Sequence, residues 1–119
     1  MNKVQLVGRI TKDPEVKVTT NQTQFCMFTV AVDRRFKDAN GNKQTDFINC
    51  VAWKNTAVFI QKYFRKGSRI GLVGSIQTRS YEKDGQKVFI TEVIVDEAEF
   101  VESNNNAGDQ VPEEMPFEI

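Results

Sequence analysis

Apolar and polar positions alternate from the start of the chain. Val4, Leu6, Gly8 and Ile10 interleave with Lys3, Gln5, Val7 and Arg9, the period-two signature of a strand with one buried face. Lys12-Asp13-Pro14-Glu15 breaks the pattern. Residues 25–32 (Phe-Cys-Met-Phe-Thr-Val-Ala-Val) are apolar on both faces, which predicts a strand covered by a barrel core on one side and a partner subunit on the other. Asn40-Gly41 is a hairpin signal between the extension of this strand and a strand over Asp46–Lys54, and Asp84-Gly85 joins residues 69–81 to residues 87–96. A two-residue turn at Asp84-Gly85 sets Lys83 opposite Gln86 and Ile76 opposite Val93. Ile70, Leu72, Gly74 and Ile76 then share an inner face with Phe89 and Val93.

One segment has the helical period. Asn55 or Thr56 can cap, Ala57, Ile60 and Phe64 recur at helical spacing, and Arg65-Lys66-Gly67 supplies a basic last turn and a glycine stop. Three strands, a helix and two more strands is the element order of an all-β fold, the five-stranded Greek-key barrel of the OB type, with one short helix between strands 3 and 4. The first hairpin carries a conflict. A tight Asn40-Gly41 turn pairs Phe36 with Thr45 and gathers Arg34, Phe36, Phe47 and Trp53 on the same face as Phe28, Val30 and Val32. That face is too apolar for water, so either a bulge changes the register or core or another subunit covers it.

Charge alters the picture more than composition does. The net charge is zero, yet residues 1–91 hold all sixteen cations against seven acids, and residues 92–119 hold nine acids and no cation. A basic body of +9 joined to an acidic end of −9 fits a protein that holds a polyanion and keeps a separate acidic segment for another purpose. At 119 residues the chain fits one domain, residues 1–102, followed by a disordered acidic tail, residues 103–119, whose Ser103-Asn104-Asn105-Asn106-Ala107-Gly108 has nothing to bury. No apolar segment has the length of a signal or a membrane span, and the expectation is a cytoplasmic protein without membrane contact. Cys26 and Cys50 read as buried thiols, and with no His neither a metal site nor any cofactor is expected.

The candidate chemistry lies in rings set among cations. Phe47 and Trp53, six residues apart, project from one strand face with Asn49 and Val51. Arg79 and Tyr81 take the parity opposite to the core on the fourth strand, and Phe36 is bracketed by Arg34, Arg35 and Lys37. Bases stack on such rings for about 1–3 kcal/mol each while Lys and Arg follow the phosphates, a combination suited to unpaired strands without sequence choice. The candidate stacking residues are therefore Phe36, Phe47, Trp53 and Tyr81, and the candidate phosphate contacts Arg34, Arg35, Lys37, Lys54 and Arg79. In the tail, Met115-Pro116-Phe117 beside Glu113 and Glu114 has the form of a docking peptide. A nuclease would need clustered carboxylates or an acid–base pair, and Asp13 and Glu15 beside Pro14 offer little; no catalytic residue is assigned. An interaction scaffold acting on a helicase is a third reading, separable by binding-site size and tail dependence.

Asn2-Lys3-Val4-Gln5-Leu6-Val7-Gly8-Arg9, Asp13-Pro14-Glu15-Val16, Arg65-Lys66-Gly67-Ser68 and Thr91-Glu92-Val93 resemble, in order and from Asn2 to about Val101, the bacterial and phage single-stranded DNA-binding proteins. The resemblance implies an OB fold, a homotetramer with DNA wrapped around it, a role in replication, recombination and repair, and capture of replication and repair proteins by the tail. It also implies stacking by Phe36, Phe47, Trp53 and Tyr81. Two departures stand out: this chain has one tryptophan where well-studied members often carry several, and Pro116-Phe117 is followed by Glu118-Ile119 where the family typically ends in Pro-Phe.

Overall fold

The computed structural model describes residues 1–101. The acidic segment 103–119, with the docking residues Glu113, Glu114, Met115, Pro116 and Phe117, lies outside them. The opening alternation becomes β1 (Val4–Ile10), with Val4, Leu6, Gly8 and Ile10 turned inward. After the break at residues 11–14, β2 (Glu15–Val18) adds a short strand that the polar-apolar pattern had not revealed. Both pair antiparallel with β3 (Gln24–Asp33): Ile10 lies opposite Val30 and Glu15 opposite Met27, so five steps on one side meet three on the other. The strands β1 and β2 are thus two halves of one broken barrel stave. With β4 (Thr45–Trp53), β5 (Arg69–Lys83) and β6 (Gln86–Phe100), the sheet runs β1-β5-β6-β4-β3-β2 and closes through β1–β3. This is the five-staved closed barrel read from the sequence.

Strand β3 pairs with β4 from Asp33 opposite Thr45 to Phe25 opposite Trp53. The expected pairing of Phe36 with Thr45 is therefore wrong by three residues. An odd slip flips every side chain to the other face, and the conflict vanishes: Cys26, Phe28 and Val30 point inward with Cys50 and Ala52, and Phe25, Met27, Thr29 and Ala31 point outward with Trp53, Asn49 and Phe47. The cause is Asp38. Its carboxylate accepts the backbone N–H groups of Asn40 and Asn42 and the side-chain amide of Gln44, which builds a wide connection over residues 34–44 instead of a two-residue turn.

The second hairpin keeps its expected register, Lys83 opposite Gln86 and Ile76 opposite Val93. Asp84 and Gly85 both take positive φ, 53° and 79°, as a type I′ turn requires. The inner-face assignment holds only in part, because Phe89 is 71% exposed and Ile76 is also exposed. Their parity is that of Val93, but the β1 ladder on β5 ends at Gly74 and the β4 ladder on β6 starts at Val93. Beyond those points the hairpin projects as a two-stranded arm with no barrel interior beneath it. A bulge marks the root of the arm, where Val73 lies opposite Glu97 and Gly74 opposite Val95.

The helix α1 (Lys54–Tyr63) starts directly after Trp53 and has no side-chain cap. Asn55 and Thr56 lie inside its first turn, a correction to the expected capping. Gly67 is not its stop either: the chain leaves the helix at extended Phe64, and Arg65 Nη1 donates to the carbonyls of Gln61 and Phe64. Gly67, at φ 88°, instead donates its N–H to the Ile10 carbonyl, and the Lys66 N–H reaches Asp13 Oδ1 at 2.8 Å. Ala57, Ile60 and Phe64 join Ile10, Val30, Ile70, Leu72 and Val95 in one core, each large aliphatic contributing about 1.5–3 kcal/mol by burial. Among the described residues no helix is long and apolar enough to cross a membrane.

Candidate nucleic-acid interface

The outward face of β3 and β4 is a shallow floor with rings at both ends. At one end Phe25 and Trp53 are cross-strand partners, with centroids 5.4 Å apart and planes tilted by 36°. At the other, Phe47 stands opposite Ala31, too small to cover it, and remains 67% exposed. Between them the Thr29 hydroxyl donates to Asn49 Oδ1 at 3.1 Å. Lys54, at φ 56°, follows Trp53 directly.

The connection 34–44 rises beside Phe47. Phe36 is 78% exposed, and the Arg35 guanidinium carbon lies 5.8 Å from its ring centre. Arg34, Phe36, Lys37, Asp38 and Gln44 line an open hollow of about 360 Å³. The β5–β6 arm bounds the other side of the floor. A larger cleft of about 570 Å³ lies between Met27, Thr29 and Asn49 on the floor, Arg79 and Ile90 on the arm, and Lys12 and Lys17 at the break between β1 and β2. Tyr81 stands exposed on the same arm face as Arg79, and on the opposite face the Lys87 ammonium lies 5.8 Å from the Phe89 ring centre.

The five cations singled out by sequence divide into two kinds. Arg34 makes a two-pronged contact with Asp46, Nη2 to Oδ1 at 2.8 Å and Nε to Oδ2 at 3.0 Å, and Arg79 Nε donates to buried Glu92 at 2.9 Å. Hydrogen bonding to Arg34 holds the Asp46 carboxyl below the usual range and raises the guanidinium, and Glu92 raises Arg79 in the same way. Asp33 is likewise lowered, first by the Thr45 hydroxyl and then by Lys43 at 3.1 Å. Arg35, Lys37 and Lys54 have no carboxylate partner among the described residues.

Phe47 and Trp53 thus lie along one face, with Phe36 exposed on the adjoining connection and Tyr81 exposed on the arm. Sequence reasoning set Asn49 on the face of Phe47 and Trp53 but missed Phe25, Met27 and Ile90. Phe25 could have been found from the β3–β4 register, since only that register sets it against Trp53; Met27, Asn49 and Ile90 share a wall only after the arm folds over the floor.

A family model described as the single-strand binding protein family matches residues 1–101. The chain belongs to that family. Membership places it among binding proteins and not among enzymes. The chain is similar to single-stranded DNA-binding protein 1 of Lactococcus lactis, 48% identical over 111 residues that cover 92% of this chain and 74% of that protein. It is also similar to the single-stranded DNA-binding protein of Bacillus cereus, 45% identical over 111 residues covering 92% of this chain and 65% of that protein. A solved structure of a Plasmodium falciparum SSB in complex with single-stranded DNA superposes with a TM-score of 0.75 at 28% identity, covering 86% of this chain and 96% of that one.

Proposed function

We propose that the chain binds single-stranded DNA with little sequence preference. Phe36, Phe47, Trp53 and Tyr81 stack bases, and Arg34, Arg35, Lys37, Lys54 and Arg79 contact phosphate. The observation that carries this reading is the row of exposed rings on the β3–β4 face and the flanking connection, interleaved with cations that lack carboxylate partners. Rings need open base faces, which a duplex hides, so the arrangement favours unpaired strands.

The finer reading follows the family and the relatives' names. The protein protects single strands in the cytoplasm during replication, recombination and repair, works as a homotetramer, and recruits replication and repair proteins through Glu113, Glu114, Met115, Pro116 and Phe117. Exposed Val7, Ile76 and Phe89 support self-association, since apolar surface of this kind calls for cover. The test is a titration with oligo-dT of increasing length, reading tryptophan fluorescence and particle mass together. Quenching, saturation at a fixed number of nucleotides per tetramer and indifference to duplex competitor are expected. Equal affinity for duplex would overturn the reading.

A further inference from the structure

The opening segment Asn2-Lys3-Val4 begins on a residue that neither the core nor the stacking face uses. Asn2 is exposed and lies just ahead of β1. Its side-chain amide closes on the backbone of a single residue of β5: Nδ2 donates to the Ile76 carbonyl at 2.9 Å, and the Ile76 N–H donates to Oδ1 at 2.9 Å. The backbone ladder of β1 on β5 has already ended, at Val4 opposite Gly74. Its register, continued outward, sets Asn2 opposite Ile76, where an antiparallel ladder would exchange a pair of N–H···O bonds. The amide thus stands in for one more peptide of the strand.

Because of this pair of bonds the two edges of the arm leave the barrel at one level. On the β6 edge, β4 gives support as far as Val93, and Val93 lies opposite Ile76. Without Asn2 the β5 edge would lose its support earlier, at Gly74, beside the bulge where the strand bends most readily. Beyond this root the arm carries one wall of the cleft. Tyr81 stands about 17 Å from Ile76 along the strand, so a swing of about 10° at the root moves its ring by about 3 Å. That displacement is comparable with the whole width of the range, about 4.5–7 Å, over which aromatic faces pair. Arg79 moves with the same body, because Glu92 on the paired strand holds its Nε at 2.9 Å.

We infer that Asn2 is a positioning residue for strand binding: its amide, closed on Ile76, holds the β5–β6 arm at the angle from which Arg79 and Tyr81 reach a strand on the β3–β4 floor. The inference rests on the reading of Arg79 and Tyr81 as contacts and adds what aims them. Asn2 touches no nucleotide in this role.

Asn2→Ala removes both bonds and leaves the core untouched, since the side chain takes no part in it. The chain has two tyrosines, Tyr81 on the arm and Tyr63 on α1. Labelled throughout with 3-fluorotyrosine, the chain free of DNA gives two fluorine signals, assigned through Tyr63→Phe and Tyr81→Phe. In Asn2→Ala the Tyr81 signal is expected to shift or broaden while that of Tyr63 stays in place. Oligo-dT affinity should fall about threefold to tenfold, the size of effect that a net hydrogen bond or two can carry. The same substitution in a chain with Arg79→Gln and Tyr81→Ala should cost nothing further, because a residue that acts through others has no effect once they are gone. An unmoved Tyr81 signal overturns the inference, as does a moved signal with native affinity. Equal losses in both backgrounds overturn it too, since Asn2 would then act on the strand or the fold directly. If Arg79→Gln with Tyr81→Ala binds oligo-dT as the native chain does, the two contacts fail and the positioning role falls with them. The Tyr81 signal tells that failure apart, because it reports the Asn2 bonds without DNA.

Discussion

Phe25 holds the ring of Trp53 from across the β3–β4 ladder at 5.4 Å, leaving the indole partly exposed at the end of the β3–β4 floor. Trp53→Ala should weaken oligo-dT binding by about 1–3 kcal/mol, the worth of one stacked base. Phe25→Leu keeps the indole but removes its support, and should cost about 0.5–1.5 kcal/mol, the value of an aromatic pair. Equilibrium titration measures both. An unaltered affinity in Trp53→Ala would remove it from the site.

Salt dependence separates the paired cations from the unpaired. Neutralising one phosphate contact to a single strand lowers the slope of log Kobs against log salt by about 0.7. Arg35→Gln, Lys37→Gln and Lys54→Gln should each show that loss. Arg34→Gln and Arg79→Gln should show less, because Asp46 and Glu92 already offset their charge. Asp46→Asn should conversely tighten binding at low salt. Equal losses at all five positions would mean that the bound strand displaces both carboxylates.

A methyl group has no room at the root of the arm. A Cβ on Gly74 would collide with the Ile94 carbonyl oxygen, part of a backbone that cannot swing aside, whereas one on Gly71 would meet the Val101 side chain at 2.8 Å. Gly74→Ala should lower unfolding stability by about 1–3 kcal/mol, as overpacking does, and Gly71→Ala by less, since exposed Val101 can turn away. Urea unfolding of the two variants gives the comparison; a Gly71→Ala loss as large as that of Gly74→Ala would contradict it.

Burial, and secondarily the charge of Glu92, pushes the Cys50 thiol from its ordinary 9.0 up to about 12. Below pH 9 folded and unfolded chains both keep the proton. As pH rises from 9 towards 12 only the unfolded chain loses it, so stability is full below that window and falls through it. Burial moves Cys26 in the same direction. Urea midpoints at about pH 8 and about pH 10.5 should therefore drop less in Cys50→Ala than in the native chain; identical drops would show that Cys50 does not drive the alkaline loss.

Much of this fold could be read from residue order because local turn chemistry and burial agreed. Asp84-Gly85 accepts positive φ at both central positions, so the β5–β6 register followed from two residues. Asn40-Gly41 looked equivalent and was not, because the Asp38 carboxylate collects three donors and takes over the connection. Parity sorted Phe47 and Trp53 correctly to the outer face, yet it misplaced Phe89, since alternation tells which side a residue faces and not whether a barrel lies on that side. The ion pairs of Arg34 and Arg79 were hidden for a similar reason: each acid lies on a neighbouring strand, at a distance along the chain that charge runs do not reveal.

The break between β1 and β2 has a mechanical result. Lys12 and Lys17 look into the cleft between floor and arm from either side of it, while Asp13, between them, holds the Lys66 N–H as the chain leaves α1, and Ile10 holds that of Gly67. The rim of the cleft and the exit of α1 are thereby bolted to a single joint. A strand drawn across the cleft would pull on the same few hydrogen bonds that hold the end of the helix.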